Sequence, residues 1–139
     1  MQLITLLGLG LKSDEIIEIL EYFDLSVVYD FDRLHEGTDD RYWASAKRAG
    51  FELGFGHDQV LETIFMYAAP RSGFSAFDHS LAGVPFHQSL EEAVRVFTTA
   101  STPYQTGQSW IKGRFDEYAL HYEFESGGAL ALVTVMARQ

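Results

Sequence analysis

The stretch FELGFGHDQVLETIFM, residues 51–66, is matched 69 positions later and without a gap by LHYEFESGGALALVTV, residues 120–135. In each stretch an alternating apolar run is followed by a short polar or glycine-containing turn and then by a second apolar run. Alternation with a period of two is typical of half-buried strands, and a short turn between two such runs predicts a β-hairpin. The sequence therefore predicts two related hairpins in one chain.

An amphipathic helix is predicted upstream of each hairpin. Residues 13–23 place apolar side chains on one stripe that follows Ser13 and two acids, with the 3.6-residue period of a surface helix. The second stripe follows Ser89, and Glu92 stands three positions after that serine, which is the spacing of a capping box. Both helices are therefore expected to begin at a serine.

The segments around Trp43 and Trp110 add a third predicted strand to each copy. The expected fold is α+β: two tandem helix-plus-three-strand units that form a mainly antiparallel sheet with the helices on one face. The other face is then left open. We predict a single domain over residues 1–139, with pseudo-repeats at about 1–69 and 86–139 and a linker at about 70–85.

Composition and charge narrow the class of protein. The chain has 139 residues, of which 47% are hydrophobic, so it has the size of one domain and is not a disordered chain. It has no cysteine, which removes disulfides and thiolate metal sites, and its net charge of −10 repels nucleic acid and attracts a basic partner. Because no apolar run reaches the ~18 residues of a membrane span and the start lacks a basic n-region, we expect a soluble, cytoplasmic protein that binds neither nucleic acid nor membrane.

The sequence contains no Gly-x-Ser-x-Gly elbow and no His-Glu-x-x-His motif, which argues against the common hydrolase and zinc-protease layouts. The sequence GLGLKS, residues 8–13, lacks the spacing of a phosphate-binding loop. The five histidines do not occur at the i, i+4 spacing of metal ligands, and the close acid–histidine pairs are Asp78 with His79 and His121 with Glu123. We therefore predict no catalytic, metal-binding or cofactor-binding residue, and no cofactor.

The aromatic residues have two interpretations. They could line a ligand groove, because aromatic rings rank high among interface hot spots, or they could form the core of the sheet, which we favour. Tyr42 and Trp43 are neighbours in a predicted strand and must point to opposite faces, so at least one of these rings should escape the helix-covered core. The residues concerned are Tyr42, Trp43, Trp110, Tyr118, Tyr122 and Phe124.

The segment from Asp24 to Asp40 is the most acidic part of the chain. It holds six acids against one base, Arg33, for a local balance of −5, and the corresponding segment of the second copy has no comparable acids. Such a run is either a solvated loop or an acidic docking face. We predict partner binding by Asp30, Phe31, Asp32, Glu36, Asp39, Asp40, Tyr42 and Trp43.

The second copy resembles small immunity-type proteins of bacterial toxin systems. The resemblance rests on LAGVPF (residues 81–86) leading into SLEEAV (89–94), on Trp110, and on HYEF (121–124) with GALALVTVM (128–136). The chain is also similar in plan to the tandem helix-plus-sheet modules of beta-lactamase inhibitor proteins. The resemblance implies a protein that neutralises an enzyme by covering it and has no catalysis of its own.

The leading hypothesis is therefore an immunity protein that binds a cognate toxin domain. A second hypothesis is a small-molecule-binding or enzymatic domain that uses the open sheet face with Asp78, His79 or His121. A third is a structural accessory subunit of a larger complex. An enclosed apolar pocket with convergent polar groups would favour the second hypothesis.

Overall fold

Two α-helices and eight β-strands form in the part of the chain that the computed structural model describes, residues 2–30 and 40–138. The N-terminal half contains α1 (Asp14–Tyr22), β1 (Val27–Asp30), β2 (Arg41–Ala46), β3 (Phe51–Phe55) and β4 (Leu61–Tyr67). The C-terminal half contains α2 (Leu90–Thr99), β5 (Tyr104–Thr106), β6 (Trp110–Arg114), β7 (Tyr118–Phe124) and β8 (Leu130–Ala137). Short 3-10 turns occur at Leu3–Leu6 and His79–Leu81.

Both helices begin after the predicted serine, but the two serines act differently. The Ser89 hydroxyl accepts a hydrogen bond from the Glu92 backbone N–H at 3.1 Å, as a capping box requires. Ser13 caps no helix N–H with its side chain, and its hydroxyl instead donates to the Gly10 carbonyl at 2.7 Å. Acidic residues in the first turn stabilise each helix, because their negative charge lies at the positive end of the helix dipole.

The eight strands form one antiparallel sheet in the order β1-β2-β3-β4-β8-β7-β6-β5. Both predicted hairpins are present, as β3–β4 and β7–β8, and the pairing of β4 with β8 joins the two halves. The pairing register shifts at Gly54/Phe55 in one hairpin and at Glu123/Phe124 in the other, again 69 positions apart. The sheet is thus mainly antiparallel, as predicted.

The expected count of three strands after each helix differs from the structure, in which four strands follow each helix. The additional strands are β1 and β5, one at each edge of the sheet. They are short and half or fully exposed, so they carry little of the apolar alternation by which a strand is recognised in a sequence. Their pairing with the tryptophan strands β2 and β6 makes them part of the sheet.

One face of the sheet carries the core. Side chains from both helices pack there in a single buried cluster with alternate residues of the strands, such as Leu53 and Tyr122. The linker also contributes to this cluster, through Phe77, Ala82 and Val84, so it is a packed segment rather than a free connection. No helix in residues 2–30 or 40–138 is long and apolar enough to cross a membrane.

Candidate functional site

We call the face of the sheet that points away from α1 and α2 the open face. In an antiparallel sheet, directly opposite residues project to the same side, so the strand register shows which residues share this face. One row crosses five neighbouring strand pairs and consists of Trp43, Gly54, Thr63, Met136, Ala119 and Arg114. The next row consists of Ser45, Glu52, Phe65, Thr134, His121 and Lys112.

Trp43 forms an aromatic platform on the open face. Its ring lies across Gly54, where a Cβ atom would stand only 2.7 Å from the ring atom Cζ3. The ring centroid is 6.1 Å from that of Phe65 on β4. Because position 54 carries no side chain, the indole can lie close to the sheet and still present part of its surface to solvent.

Trp110 occupies the open face of the C-terminal half. Its ring stacks on His121 with centroids 5.5 Å apart and an interplanar angle of 16°. Burial lowers the pKa of His121, against a smaller opposing effect of Glu123, so the neutral imidazole is favoured near pH 7. Both tryptophans therefore lie on the open face, whereas Tyr122 and Phe124 belong to the core.

Charge is distributed unevenly over the open face. Toward the end of the sheet that carries the linker, Arg71 forms an ion pair with Glu123 at 3.3 Å. There Phe74 also stacks on Tyr67 with centroids 4.4 Å apart, so the start of the linker bounds the face on that side.

The opposite end of the open face holds a cavity of about 470 Å³, which we call the basic basin. Of the residues that the structure describes, four cations and one acid, Glu62, line it, an excess of three positive charges among those residues. Glu62 forms an ion pair with Arg41. The other lining residues are Thr63, Lys112, Arg114, Ala119, Met136, Ala137 and Arg138.

Of the residues predicted to bind a partner, four lie in the part of the chain that the structure describes: Asp30, Asp40, Tyr42 and Trp43. Trp43 lies on the open face, whereas Tyr42 packs against the core on the helix side and stacks on Tyr29 with centroids 4.9 Å apart. The Tyr29 hydroxyl donates to the Asp40 carboxylate at 2.7 Å, and this hydrogen bond raises the pKa of Tyr29 to about 12. Asp30 is exposed at the end of β1, opposite Arg41. Phe31, Asp32, Glu36 and Asp39 lie outside the described residues.

The acid and histidine residues considered for catalysis are also dispersed. Asp78 caps the 3-10 turn His79–Leu81, where its Oδ1 accepts from the Ser80 N–H at 3.1 Å and from the Ser80 hydroxyl at 2.7 Å. These hydrogen bonds lower the pKa of Asp78. His79 contacts Phe86 on the helix side, with ring centroids 5.8 Å apart, whereas His121 lies on the open face. Within the described residues, no group of three or more His, Cys, Asp or Glu is placed to hold a metal ion.

An apolar groove of about 390 Å³ lies on the helix side, between α1 and the 3-10 turns. Glu18 is the one charged residue among the described residues that line it. The remaining lining residues are Leu3, Ile19, Tyr22, Phe23, Phe51, Phe77 and Leu81. The groove is open to solvent and lacks the several convergent polar groups that fix a ligand in a typical small-molecule site.

The cations of the basic basin were not predicted from the sequence, although part of the signal is present there. Trp110, Lys112 and Arg114 alternate along β6 and must therefore share a face. Arg41 and Arg138 come from β2 and from the residue after β8, and only the order of strands in the sheet brings them to the same end of the face.

Comparison with known proteins adds no identification: no family model matches the chain, and neither a curated protein nor a solved structure matches it significantly.

Proposed function

We propose that this protein is an inhibitor of the immunity type, which binds a toxin or enzyme domain by laying its open face over that domain. The observation that carries the proposal is an eight-stranded sheet whose uncovered face bears both tryptophans of the chain. Tryptophan is the residue type most enriched at interface hot spots, and here two are held in place by packing within the face. The resemblance of the second copy to immunity proteins supports the same function.

The size of the open face suits a protein partner. Eight strands spaced about 4.8 Å apart span roughly 34 Å, and strands of three to eight residues, with a mean length of about 19 Å, extend in the other direction. The product is roughly 650 Å², which is close to the ~800 Å² that one partner contributes to a standard interface. The strands supply a rigid surface, so little conformational entropy is lost on binding.

The tandem plan is part of this proposal. If the halves are copies of one unit, β4 and β8 stand in equivalent positions and the two tryptophans are related by the duplication. Superposing β2–β4 on β6–β8 should bring Trp43 onto Trp110 and Phe55 onto Phe124. A superposition in which these strands do not coincide would remove the duplication from the proposal.

The expected partner is a cognate toxin domain encoded immediately upstream, and the expected location is the cytoplasm. The net charge of −10 should accelerate association with a partner that is basic overall, most strongly at low salt. Asp30 is exposed at the end of the edge strand β1, where it would supply charge at the rim of the interface.

The test is to co-express the chain with the toxin domain encoded beside it, and to measure association of the purified proteins by calorimetry. Trp43→Ala and Trp110→Ala should each weaken binding by about 30-fold or more, equivalent to ~2 kcal/mol at a hot spot. Tyr22→Ala is the matched control, because Tyr22 is an aromatic residue that is 82% exposed on α1, away from the open face.

If the chain neither protects cells nor binds the toxin domain, the proposed function is wrong. If binding occurs but is lost with Tyr22→Ala and kept in both tryptophan variants, the partner docks on the helix side instead. Circular dichroism and thermal unfolding of each variant must first show that the fold is retained.

The second candidate, a small-molecule-binding domain, is favoured by one observation, the apolar groove beside α1. Its volume of about 390 Å³ falls in the range of ligand pockets, and Glu18 would pair with a cationic group on an apolar ligand. Binding of a hydrophobic amine such as dodecylamine, lost in Ile19→Trp and retained in the tryptophan variants of the open face, would support this candidate.

A further inference from the structure

Two cations of the basic basin, Lys112 and Arg114, are not neutralised by an ion pair with any residue in the described ranges 2–30 and 40–138. The nearest acids in sequence, Asp116 and Glu117, lie exposed in the turn between β6 and β7 and pair with neither cation. In a chain with twice as many acids as bases, this local excess of positive charge is unusual.

Backbone contacts hold the third cation, Arg138, at the edge of the basin. Its guanidinium Nη1 donates to the Phe115 carbonyl at 3.2 Å, and the Asp116 carbonyl lies 3.5 Å away. Its own N–H donates to the Glu117 carbonyl at 3.1 Å. A guanidinium has five N–H donors, so these contacts leave further donors for an incoming anion.

The shape of the basin leaves room for such an anion. Arg114 lies directly opposite Ala119 in the β6–β7 pair, and Ala119 lies opposite Met136 in the β7–β8 pair. The floor beside Arg114 is therefore formed by a methyl group and a flexible apolar side chain, while Glu62 is paired with Arg41. The basin belongs to the same face as Trp43, whose row it continues.

From this arrangement we infer that the basic basin receives carboxylate side chains of the docked partner, a protein segment carrying two or more Asp or Glu residues. The inference rests on the proposed function and specifies the chemistry of the partner surface. Planar guanidinium groups bind carboxylates in a bidentate manner, which fixes orientation as well as adding energy. The partner can still be basic overall. The rate at which the two proteins meet depends on their net charges, whereas the docked complex depends on the ion pairs formed at the interface.

A protein carboxylate fits these charges better than a nucleic-acid phosphate does. A nucleic-acid strand would have to pass over a surface whose total charge is −10, and that repulsion grows with every phosphate. A short acidic segment confined to a basin of about 470 Å³ meets only the local excess of positive charge. The aromatic platform beside the basin would then contact apolar residues that flank the acids.

The first experiment uses a hexaglutamate peptide as the probe and follows backbone amide shifts of the folded protein by NMR. The peptide should shift the amides of Lys112, Arg114 and Ala119, and the shifts should shrink as salt rises from about 20 to 200 mM. Hexalysine peptide is the charge control, and inorganic phosphate and a hexathymidine oligonucleotide are the alternative anions. Hexaglutamate shifts confined to the basin support the inference, and their absence at millimolar peptide contradicts it.

The second experiment reverses the charges of the basin. Lys112→Glu/Arg114→Glu should abolish the hexaglutamate shifts and weaken binding of the toxin domain by about tenfold or more, since it replaces two attractions with two repulsions. Lys47→Glu/Arg48→Glu is the matched control, because it makes the same change of charge in the exposed turn between β2 and β3. The control should change both measurements by less than about twofold.

The outcomes separate this inference from the proposed function. Toxin binding that is unaffected by the basin reversal overturns the inference and leaves the proposed function standing. Hexaglutamate shifts at the basin without any toxin binding support the carboxylate site and contradict the proposed function. Shifts that are stronger with hexathymidine or phosphate than with hexaglutamate overturn the assignment to a protein carboxylate.

Discussion

Removing the Ser89 hydroxyl should destabilise the C-terminal half of the protein. This hydroxyl accepts from the Glu92 N–H at 3.1 Å, and Glu92 in return accepts from the Gln88 N–H at 2.6 Å. The two bonds satisfy backbone donors that have no partner inside α2. The helix they stabilise carries Phe97, which is 3% exposed and packs against Tyr122 of the sheet.

The size of the effect follows from the cap. Replacing an N-cap serine by alanine costs about 1 kcal/mol, within a range of roughly 0.5–2 kcal/mol. Unfolding entropy of about 2.1 cal/mol/K per residue gives ~0.3 kcal/mol/K for 139 residues. Ser89→Ala should therefore lower Tm by about 3–4 °C.

The assay is thermal unfolding followed by calorimetry, with Ser13→Ala as the matched control. Ser13 is the N-cap of α1, but its hydroxyl bonds no helix N–H. The Gly10 carbonyl that it contacts also accepts from the Ser13 N–H at 3.0 Å, so this carbonyl keeps a partner in the variant. We expect Ser13→Ala to cost about 0.5 kcal/mol or less.

Two results would contradict a stabilising role of the Ser89 cap. One is an equal loss of stability in Ser89→Ala and Ser13→Ala, because the hydrogen bond from the Glu92 N–H to Ser89 would then contribute no measurable stability of its own. The other is a full loss of about 1 kcal/mol in Ser89→Asp, since aspartate can accept the same hydrogen bond and should retain most of the stability.

Three further predictions concern single side chains. Tyr122→Phe should lower the free energy of unfolding by about 1–2 kcal/mol in urea titrations, because the Pro85 carbonyl loses the hydroxyl that donates to it at 2.8 Å. Burial lowers the pKa of His87, so the folded state favours the neutral imidazole. The stability that neutral His87 contributes is fully present above the unfolded pKa of ~6.5 and is lost as pH falls through the lower pKa of the folded state. His87→Leu should therefore flatten the loss of Tm below pH 6.5. Gly54→Ala places a Cβ 2.7 Å from Trp43 and should displace that ring from the sheet. In a Trp110→Phe background, where Trp43 alone fluoresces among the two tryptophans, the displacement should appear as a red shift of the emission. Unchanged emission would contradict the platform geometry.

Local spacing was sufficient to predict the helices and the two hairpins. The cap at Ser89 depends on a side chain and a backbone N–H three residues apart, so it can be recognised in the sequence and is present in the structure. The alternation of Leu53 with its neighbours likewise depends on the geometry of the strand itself. These features require no knowledge of distant residues.

Elements that depend on long-range pairing were missed or described too simply. β5 has three exposed residues without an apolar period, and it is a strand because β6 pairs with it. The linker has no clear period either, yet Phe77 and Ala82 are buried because the sheet and the 3-10 turn at Leu3–Leu6 lie against it. Burial of this kind cannot be derived from neighbours in the chain.

That Tyr42 and Trp43 point to opposite faces follows from their adjacency in the sequence, because successive residues of any strand do so. Which face receives the helices depends on long-range packing, and this packing leaves Trp43 as the ring on the open side. The tertiary structure also assembled the basic basin, whose cations lie on β2, on β6 and just after β8. They meet because β4 pairs with β8, and that pairing depends on the combined packing of two halves that are far apart in the sequence.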